Sequence, residues 1–144
     1  MHFFQIDNSC FARRIMLYYE LLLIYCLSEA DTDMKVEMHT HTSETSPCAH
    51  ICAQDVIKMY KEARYDTVVI TDHYSKWVFE KNGAKTPDEV TSHFLKGYKT
   101  ALGCAETYDI NVLLGCEVTL TESPNDYLLY GVNEDFFHTH PFLY

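Results

Sequence analysis

The residues best suited to chemistry in this chain are two histidines, His39 and His41, which close an apolar-alternating segment that begins at Lys35. Side chains in a strand alternate between its two faces, so residues two positions apart project in the same direction. Two imidazoles on one side of a strand end are well placed to bind a divalent metal ion. A single His-x-His sequence is weak evidence, so further ligands must be sought elsewhere in the chain.

Two later segments end in the same polar manner. One apolar run closes on Thr71-Asp72-His73, and another passes into Gly115-Cys116-Glu117. In α/β folds the ligand site gathers at the carboxyl ends of the strands, so polar residues at three such ends converge on one edge. Imidazole together with carboxylate suits zinc, manganese or iron. We therefore predict a metal centre with ligands from three distant segments: His39, His41, His73 and Glu117.

The spacing of apolar residues predicts the elements that position these ligands. Residues 35–39 alternate as a strand, residues 53–64 repeat at helical spacing, and residues 67–70 form an uninterrupted apolar run. Such a run is typical of a strand buried on both faces in a parallel sheet. Strand, helix and strand in this order predict a right-handed βαβ unit.

The second half of the chain repeats the strand-helix order. After a polar loop over residues 74–85, Thr86-Pro87-Asp88-Glu89 supplies a helix start, and the helix pattern continues to about Thr107. Strands are predicted over residues 111–119 and 126–132, with a short helical tail at residues 133–135. This order predicts an α/β fold, either an open sheet or part of a (β/α) barrel, with about four mainly parallel strands.

The charge of the chain restricts its partners. Its 144 residues, one domain's worth of sequence, include 11 basic and 21 acidic side chains, for a formal net charge of −10. Nucleic acids and anionic membranes both require a basic face, so we expect neither as the main partner. A phosphorylated substrate is compatible with this charge where metal ions or a few local cations offset it.

The cysteines indicate a reducing compartment. Six are present without regular spacing, and we interpret them as reduced thiols of a cytoplasmic protein. Cys48 and Cys52 lie in the loop just after the two histidines, so a metal-binding role for them is an alternative.

Residues 1–33 are predicted to be an N-terminal extension. An apolar run follows Arg13-Arg14 and loosely resembles a signal peptide, but Glu20 interrupts it. We expect an accessory helical segment before a domain over residues 34–144, and we do not infer secretion.

With these motifs identified, the chain resembles the polymerase and histidinol phosphatase (PHP) family of metal-dependent phosphoesterases. His39-Thr40-His41-Thr42, Thr71-Asp72-His73 and Gly115-Cys116-Glu117 stand in the family's order. The resemblance implies a distorted (β/α)7 barrel, similar to a TIM barrel, with two or three metal ions. It also implies that His39 and His41 hold one ion, that His73 holds another, that Glu117 bridges two, and that Asp72 orients a ligand.

The resemblance also implies roles for further residues. A further acidic or imidazole ligand is expected in the loop after the first motif, where Glu44 is the nearest candidate, ahead of Ser46 and His50. Asp126 stands where many members have a histidine, although a turn-forming residue is an equal alternative. Lys76 could reach a phosphate oxygen, with a solvated lysine as the commoner outcome.

The later motifs of the family are missing from residues 34–144. His138-Thr139-His140-Pro141 is interpreted as a local helix end, and the family's final Asp-x-His is absent. We therefore expect the N-terminal, truncated part of a PHP domain.

The implied activity is phosphomonoester or phosphodiester hydrolysis by a metal-activated hydroxide. The alternatives are a non-catalytic fragment that keeps a partial metal site and self-associates through an uncovered sheet edge, a nucleic-acid-processing version of the domain, and an amidohydrolase-type enzyme.

Overall fold

A computed structural model describes residues 34–144, and our prediction of a helical extension over residues 1–33 lies outside the described residues. Strands and helices alternate along the described part. The elements are β1 (Val36–Thr40), α1 (Ala53–Glu62), β2 (Thr67–Ile70), β3 (His73–Tyr74), α2 (Lys76–Lys81), α3 (Pro87–Tyr108), β4 (Asn111–Leu114), β5 (Cys116–Thr119), β6 (Asp126–Leu129) and α4 (Glu134–Thr139).

The predicted βαβ unit forms the first of two sheets. β1, β2 and β4 are parallel and lie in that order, so β2 occupies the centre. All four residues of β2 are buried, as an apolar run in a central parallel strand requires. The helices α1 and α3 pack against the same core, which contains Ile57, Ala101 and Ile110.

The predicted strand over residues 111–119 is in fact two strands that belong to different sheets. The chain passes from β4 to β5 at Gly115, where the backbone N–H donates to Ile70 O at 2.9 Å. A β-carbon at Gly115 would lie 2.9 Å from Leu129 O, so only glycine allows this close approach. Apolar periodicity continues across the break, which is why the sequence pattern did not reveal it.

The second sheet contains β3, β5 and β6. β3 is parallel to β5, whereas β6 runs antiparallel to β5. The expectation of about four mainly parallel strands was therefore too simple, because six short strands divide between two three-stranded sheets. The strands of residues 34–144 form no closed barrel.

The segment predicted as a polar loop over residues 74–85 contains a short helix. Ser75 caps α2 by accepting a hydrogen bond from Val78 N at 3.4 Å. Val78 and Phe79 are buried against Tyr74, and an aromatic cluster completes this second core: Tyr74, Phe79, Phe94 and Phe137. The polar residues around the helix obscured its buried face.

The predicted start of α3 is confirmed, whereas the helical tail predicted at residues 133–135 is a longer helix over Glu134–Thr139. Thr86 and Glu89 form a capping box at the beginning of α3, which ends at Tyr108 rather than near Thr107. α4 begins after Asn133, and His140 follows its last turn, so the sequence around His138 is a local helix end. No helix within residues 34–144 is long and apolar enough to cross a membrane.

Candidate metal centre

The pairing of β3 with β5 brings two predicted ligands face to face. His73 and Glu117 are register partners across these parallel strands. The end of β1 is tied to the end of β2, because Thr71 N donates to Thr40 O at 2.8 Å and Thr71 Oγ1 accepts from Thr40 N at 2.9 Å. These bonds hold the two-histidine motif next to the Thr71-Asp72-His73 motif.

Glu117 Oε2 is the point on which the three histidines converge. It lies 3.3 Å from His39 Nε2, 3.0 Å from His41 Nε2 and 3.3 Å from His73 Nδ1. His39 Nε2 and His41 Nε2 are 2.8 Å apart. The Glu117 side chain is only 12% exposed and the His39 side chain is 43% exposed, so these contacts lie in a recess that opens to solvent at His39.

The donor atoms fit a divalent metal ion. Two nitrogen or oxygen ligands bound to zinc at 2.0–2.1 Å with tetrahedral angles lie about 3.3 Å apart. Two of the contacts of Glu117 Oε2 have this spacing, at 3.3 Å, whereas its contact with His41 Nε2 at 3.0 Å and the 2.8 Å between the Nε2 atoms of His39 and His41 are shorter. Within residues 34–144 two donor groups can be distinguished, His39 with His41 and Glu117, and His41 with Cys48 and His73.

The electrostatics of the recess keep one imidazole in the form that binds metals. Burial lowers the pKa of His41 to about 4, and the positive charges of His73 and His39 contribute in the same direction. Glu117 and Asp126 oppose this shift but do not cancel it. His41 is therefore neutral at pH 7, with a nitrogen lone pair available for a metal ion.

Asp72 lies in neither donor group but is hydrogen-bonded next to the predicted ligands. Its buried carboxylate accepts hydrogen bonds from Thr42 N at 2.7 Å, Thr42 Oγ1 at 2.6 Å and Ser46 Oγ at 2.6 Å. Ser46 Oγ in turn accepts from His73 N at 2.9 Å. Burial raises the pKa of Asp72 to about 6, although these hydrogen bonds act in the opposite direction. Asp72 thus links the loop after the first motif to the backbone of a predicted ligand.

The three motifs lie within a match to a known protein family. The model of the PHP domain matches residues 37–139, which is most of the chain and all three motifs. The chain belongs to the PHP domain family. Comparison with curated proteins returned no match.

Three other predicted residues of this PHP domain lie outside both donor groups. The Glu44 carboxylate accepts from Ala53 N at 3.0 Å through each oxygen, so it caps α1. Asp126 accepts from Thr119 Oγ1 at 2.5 Å at the start of β6. Lys76 lies 3.8 Å from Glu80 on the exposed face of α2. These contacts engage Glu44 with a backbone donor of α1 and Asp126 with a side-chain donor of β5.

The residue that the sequence interpretation undervalued is Cys48. Its Sγ lies 3.4 Å from His41 Nδ1, in the loop where the resemblance predicts a further ligand. Cys52, considered together with it, instead donates to the Asp55 carboxylate at 3.3 Å. All four cysteines between residues 34 and 144 are free thiols. In the sequence, the feature that could have indicated Cys48 as a ligand is its place in the loop after the two histidines.

Proposed function

We propose that this PHP domain is a metal-dependent phosphoesterase that acts on a small phosphorylated molecule. The observation that supports this proposal most strongly is the convergence of three histidines, from two segments of the chain, on one oxygen of Glu117, which belongs to a third segment. In this proposal His39, His41, His73 and Glu117 are the metal ligands, and the metal ions are zinc, manganese or iron. The barrel implied by the family is part of the same proposal.

The chemistry assigned to the metal ions is Lewis acidity, which polarises a phosphoryl oxygen and lowers the pKa of a coordinated water molecule towards neutrality. The chain's own residues supply the arrangement. Neutral His41 offers a lone pair, and Glu117 supplies a negative charge next to three imidazoles. Asp72 and Ser46 hold the loop and the His73 backbone in place, which fixes the direction of the His73 ligand.

Two cavities of about 520 Å³ adjoin the ligands. One is lined by His39 and His41 together with Met59, Tyr60 and Tyr65, and it is mainly apolar. The other is lined by His73, Trp77 and the Lys76–Glu80 ion pair, together with the hydroxyl-bearing residues Thr119, Thr121 and Ser123. We assign the phosphoryl end of the substrate to the second cavity, because its lysine and hydroxyl groups can donate hydrogen bonds to an anion.

The overall charge favours a small substrate over a nucleic acid. With a formal net charge of −10, the protein repels a long phosphate backbone. A single phosphoryl group would instead meet the charge of the metal ions and of Lys76, which lies 3.8 Å from Glu80. Cytoplasmic location and self-association through a sheet edge stay predictions from the sequence.

The test pairs metal analysis with a substrate panel. We expect Glu117→Ala and His39→Ala to lose bound metal, and Glu122→Ala, a matched control at an exposed glutamate, to retain it. Hydrolysis of phosphomonoesters and phosphodiesters with added manganese or zinc should exceed the Glu117→Ala background. Unchanged metal content in both ligand variants would contradict the metal centre. Metal binding without turnover would support the non-catalytic alternative.

The contribution of Lys76 is tested separately. Lys76→Ala should raise KM for a phosphorylated substrate, whereas Lys81→Ala, at the last position of α2, should not. Equal kinetics in the two variants would remove Lys76 from the substrate site. Lys76→Arg should retain most of the affinity, since the positive charge is kept.

A further inference from the structure

Cys48 presents a thiol to two of the histidines at the centre. Its Sγ lies 3.4 Å from His41 Nδ1. Donor atoms of Cys48, His41 and His73 all lie within 4.8 Å of one another. The three residues come from a loop, the end of β1 and β3, so their proximity is a product of the fold rather than of local sequence.

The loop that carries Cys48 is built by internal hydrogen bonds. Ser46 N donates to Thr42 O at 2.9 Å, Ala49 N donates to Ser46 O at 3.0 Å, and Ser43 N donates to Ile51 O at 3.0 Å. Ser46 is itself anchored to the buried Asp72 carboxylate. The loop therefore returns on itself at Cys48 and holds this thiol beside the imidazoles.

The two ring nitrogens of His41 face different residues. Its Nε2 faces His39 and Glu117, whereas its Nδ1 faces Cys48. A zinc ion binds sulfur at about 2.3 Å and nitrogen at about 2.0–2.1 Å, so tetrahedral ligands of these two kinds lie about 3.6 Å apart. The separation of 3.4 Å between Cys48 Sγ and His41 Nδ1 is close to this value.

We propose that Cys48 is a thiolate ligand to a metal ion at the His41–Cys48–His73 group, and that this sulfur makes the group select zinc over manganese. The inference rests on the proposed metal centre. It adds a ligand type that the family resemblance, with its acidic or imidazole residue in this loop, does not supply. Thiolate is a soft ligand that favours zinc, whereas manganese prefers oxygen ligands.

The coordination step balances through protons alone. Where Nδ1 and Nε2 of His41 each bind an ion, the imidazole releases its N–H proton to bulk water. The Cys48 thiol likewise loses its S–H proton to bulk water as the sulfur–metal bond forms, and no electron is transferred. A metal-bound thiol is deprotonated outright, so metal uptake should release this proton to the buffer. The competing role for Cys48 is a hydrogen bond to His41 Nδ1 that only orients the imidazole.

Cobalt spectroscopy distinguishes a sulfur ligand from a hydrogen bond. The full chain is loaded with Co²⁺, and near-ultraviolet absorption from thiolate-to-cobalt charge transfer is recorded. We expect the absorption in the wild-type protein and in Cys52→Ser, the matched control in the same loop, and its loss in Cys48→Ser. Cobalt binding without charge-transfer absorption in the wild-type protein would overturn the thiolate inference and leave the proposed function intact. Absence of bound cobalt in the wild-type protein would overturn both.

Metal competition provides the second readout. In dialysis against mixed zinc and manganese, we expect Cys48→Asp to keep the number of bound ions but to lower the zinc-to-manganese ratio at least about tenfold, the scale on which even outer-shell changes alter metal affinity. Far-ultraviolet circular dichroism checks that each variant is folded, and Cys48→Asp keeps the inference testable should Cys48→Ser fail to fold. An unchanged ratio in Cys48→Asp would overturn the inference.

Discussion

Gly97 in α3 lies so close to the carboxylate of Asp72 that no β-carbon fits between them. A β-carbon at this position would collide with Asp72 Oδ2 and with Thr42 Oγ1. Gly97 N also donates to Thr45 Oγ1 at 3.2 Å. The backbone of α3 is therefore the support against which the loop after the first motif and its anchoring carboxylate are packed.

This contact predicts a large difference between two glycines of the same helix. Gly97→Ala should lower the free energy of unfolding by about 1–3 kcal/mol, the usual cost of overpacking, and should reduce metal occupancy because Asp72 and Thr42 must move. Gly103→Ala meets nothing within 4 Å and should raise stability by about 0.5–1 kcal/mol through helix propensity. Urea unfolding and metal analysis of both variants provide the measurement. Equal stabilities would contradict the predicted steric conflict.

Replacement of Asp72 should weaken the site without removing a ligand. In Asp72→Asn an amide nitrogen replaces one carboxylate oxygen of a group that accepts hydrogen bonds from Thr42 and Ser46. Because a buried group is then left unsatisfied, the free energy of unfolding should fall by about 1–3 kcal/mol. Metal affinity should fall about 10- to 100-fold, as for other residues that orient ligands. Asp88→Asn, in the exposed first turn of α3, is the control and should cost less than about 1 kcal/mol. Metal titration by calorimetry decides the outcome, and unchanged affinity in Asp72→Asn would speak against the positioning role.

His93 should give stability a pH dependence that is separate from the metal centre. Burial lowers the pKa of His93, the charge of Lys96 contributes, and Asn82 Nδ2 donates to His93 Nε2 at 3.0 Å. As pH falls through about 6.5, the unfolded chain gains a proton at this histidine before the folded protein does, so stability decreases. His93→Gln should therefore lose less stability than the wild-type protein between about pH 7.5 and pH 5.5. Urea unfolding at both pH values measures this, and parallel losses in the two proteins would exclude the effect.

The capping box of α3 should affect stability but not the site. Thr86→Ala removes the hydroxyl that accepts from Glu89 N and should cost about 1 kcal/mol. Thr86→Ser keeps the acceptor and should remain close to the wild-type protein. Thermal unfolding measures the loss, and metal content should be equal in all three proteins. A loss of metal in Thr86→Ala would indicate that α3 stability as a whole, rather than the contact at Gly97, controls the site.

The sequence predicted the elements that depend on local pattern. The buried run at β2, the helical repeat of α1 and the capping signals of α3 each depend on neighbours within a few positions, and the structure contains all three. The sequence pattern did not predict the division of residues 111–119 into two strands, because the break at Gly115 depends on the approach of Leu129 O from another strand. A contact between distant residues leaves no local period.

The same distinction holds for the candidate site. By itself, the sequence determined the donor types of His39, His41, His73 and Glu117 and that each follows or closes an apolar run, because both are local properties. In the structure His73 and Glu117 lie at the beginning of β3 and β5, just beyond the ends of β2 and β4. Only the tertiary structure decided that three imidazoles meet at one oxygen of Glu117. It also decided that Glu44 caps a helix while Cys48 lies against His41. Strand register and loop closure bring residues from distant segments together, and these long-range contacts determine which of the available side chains become neighbours.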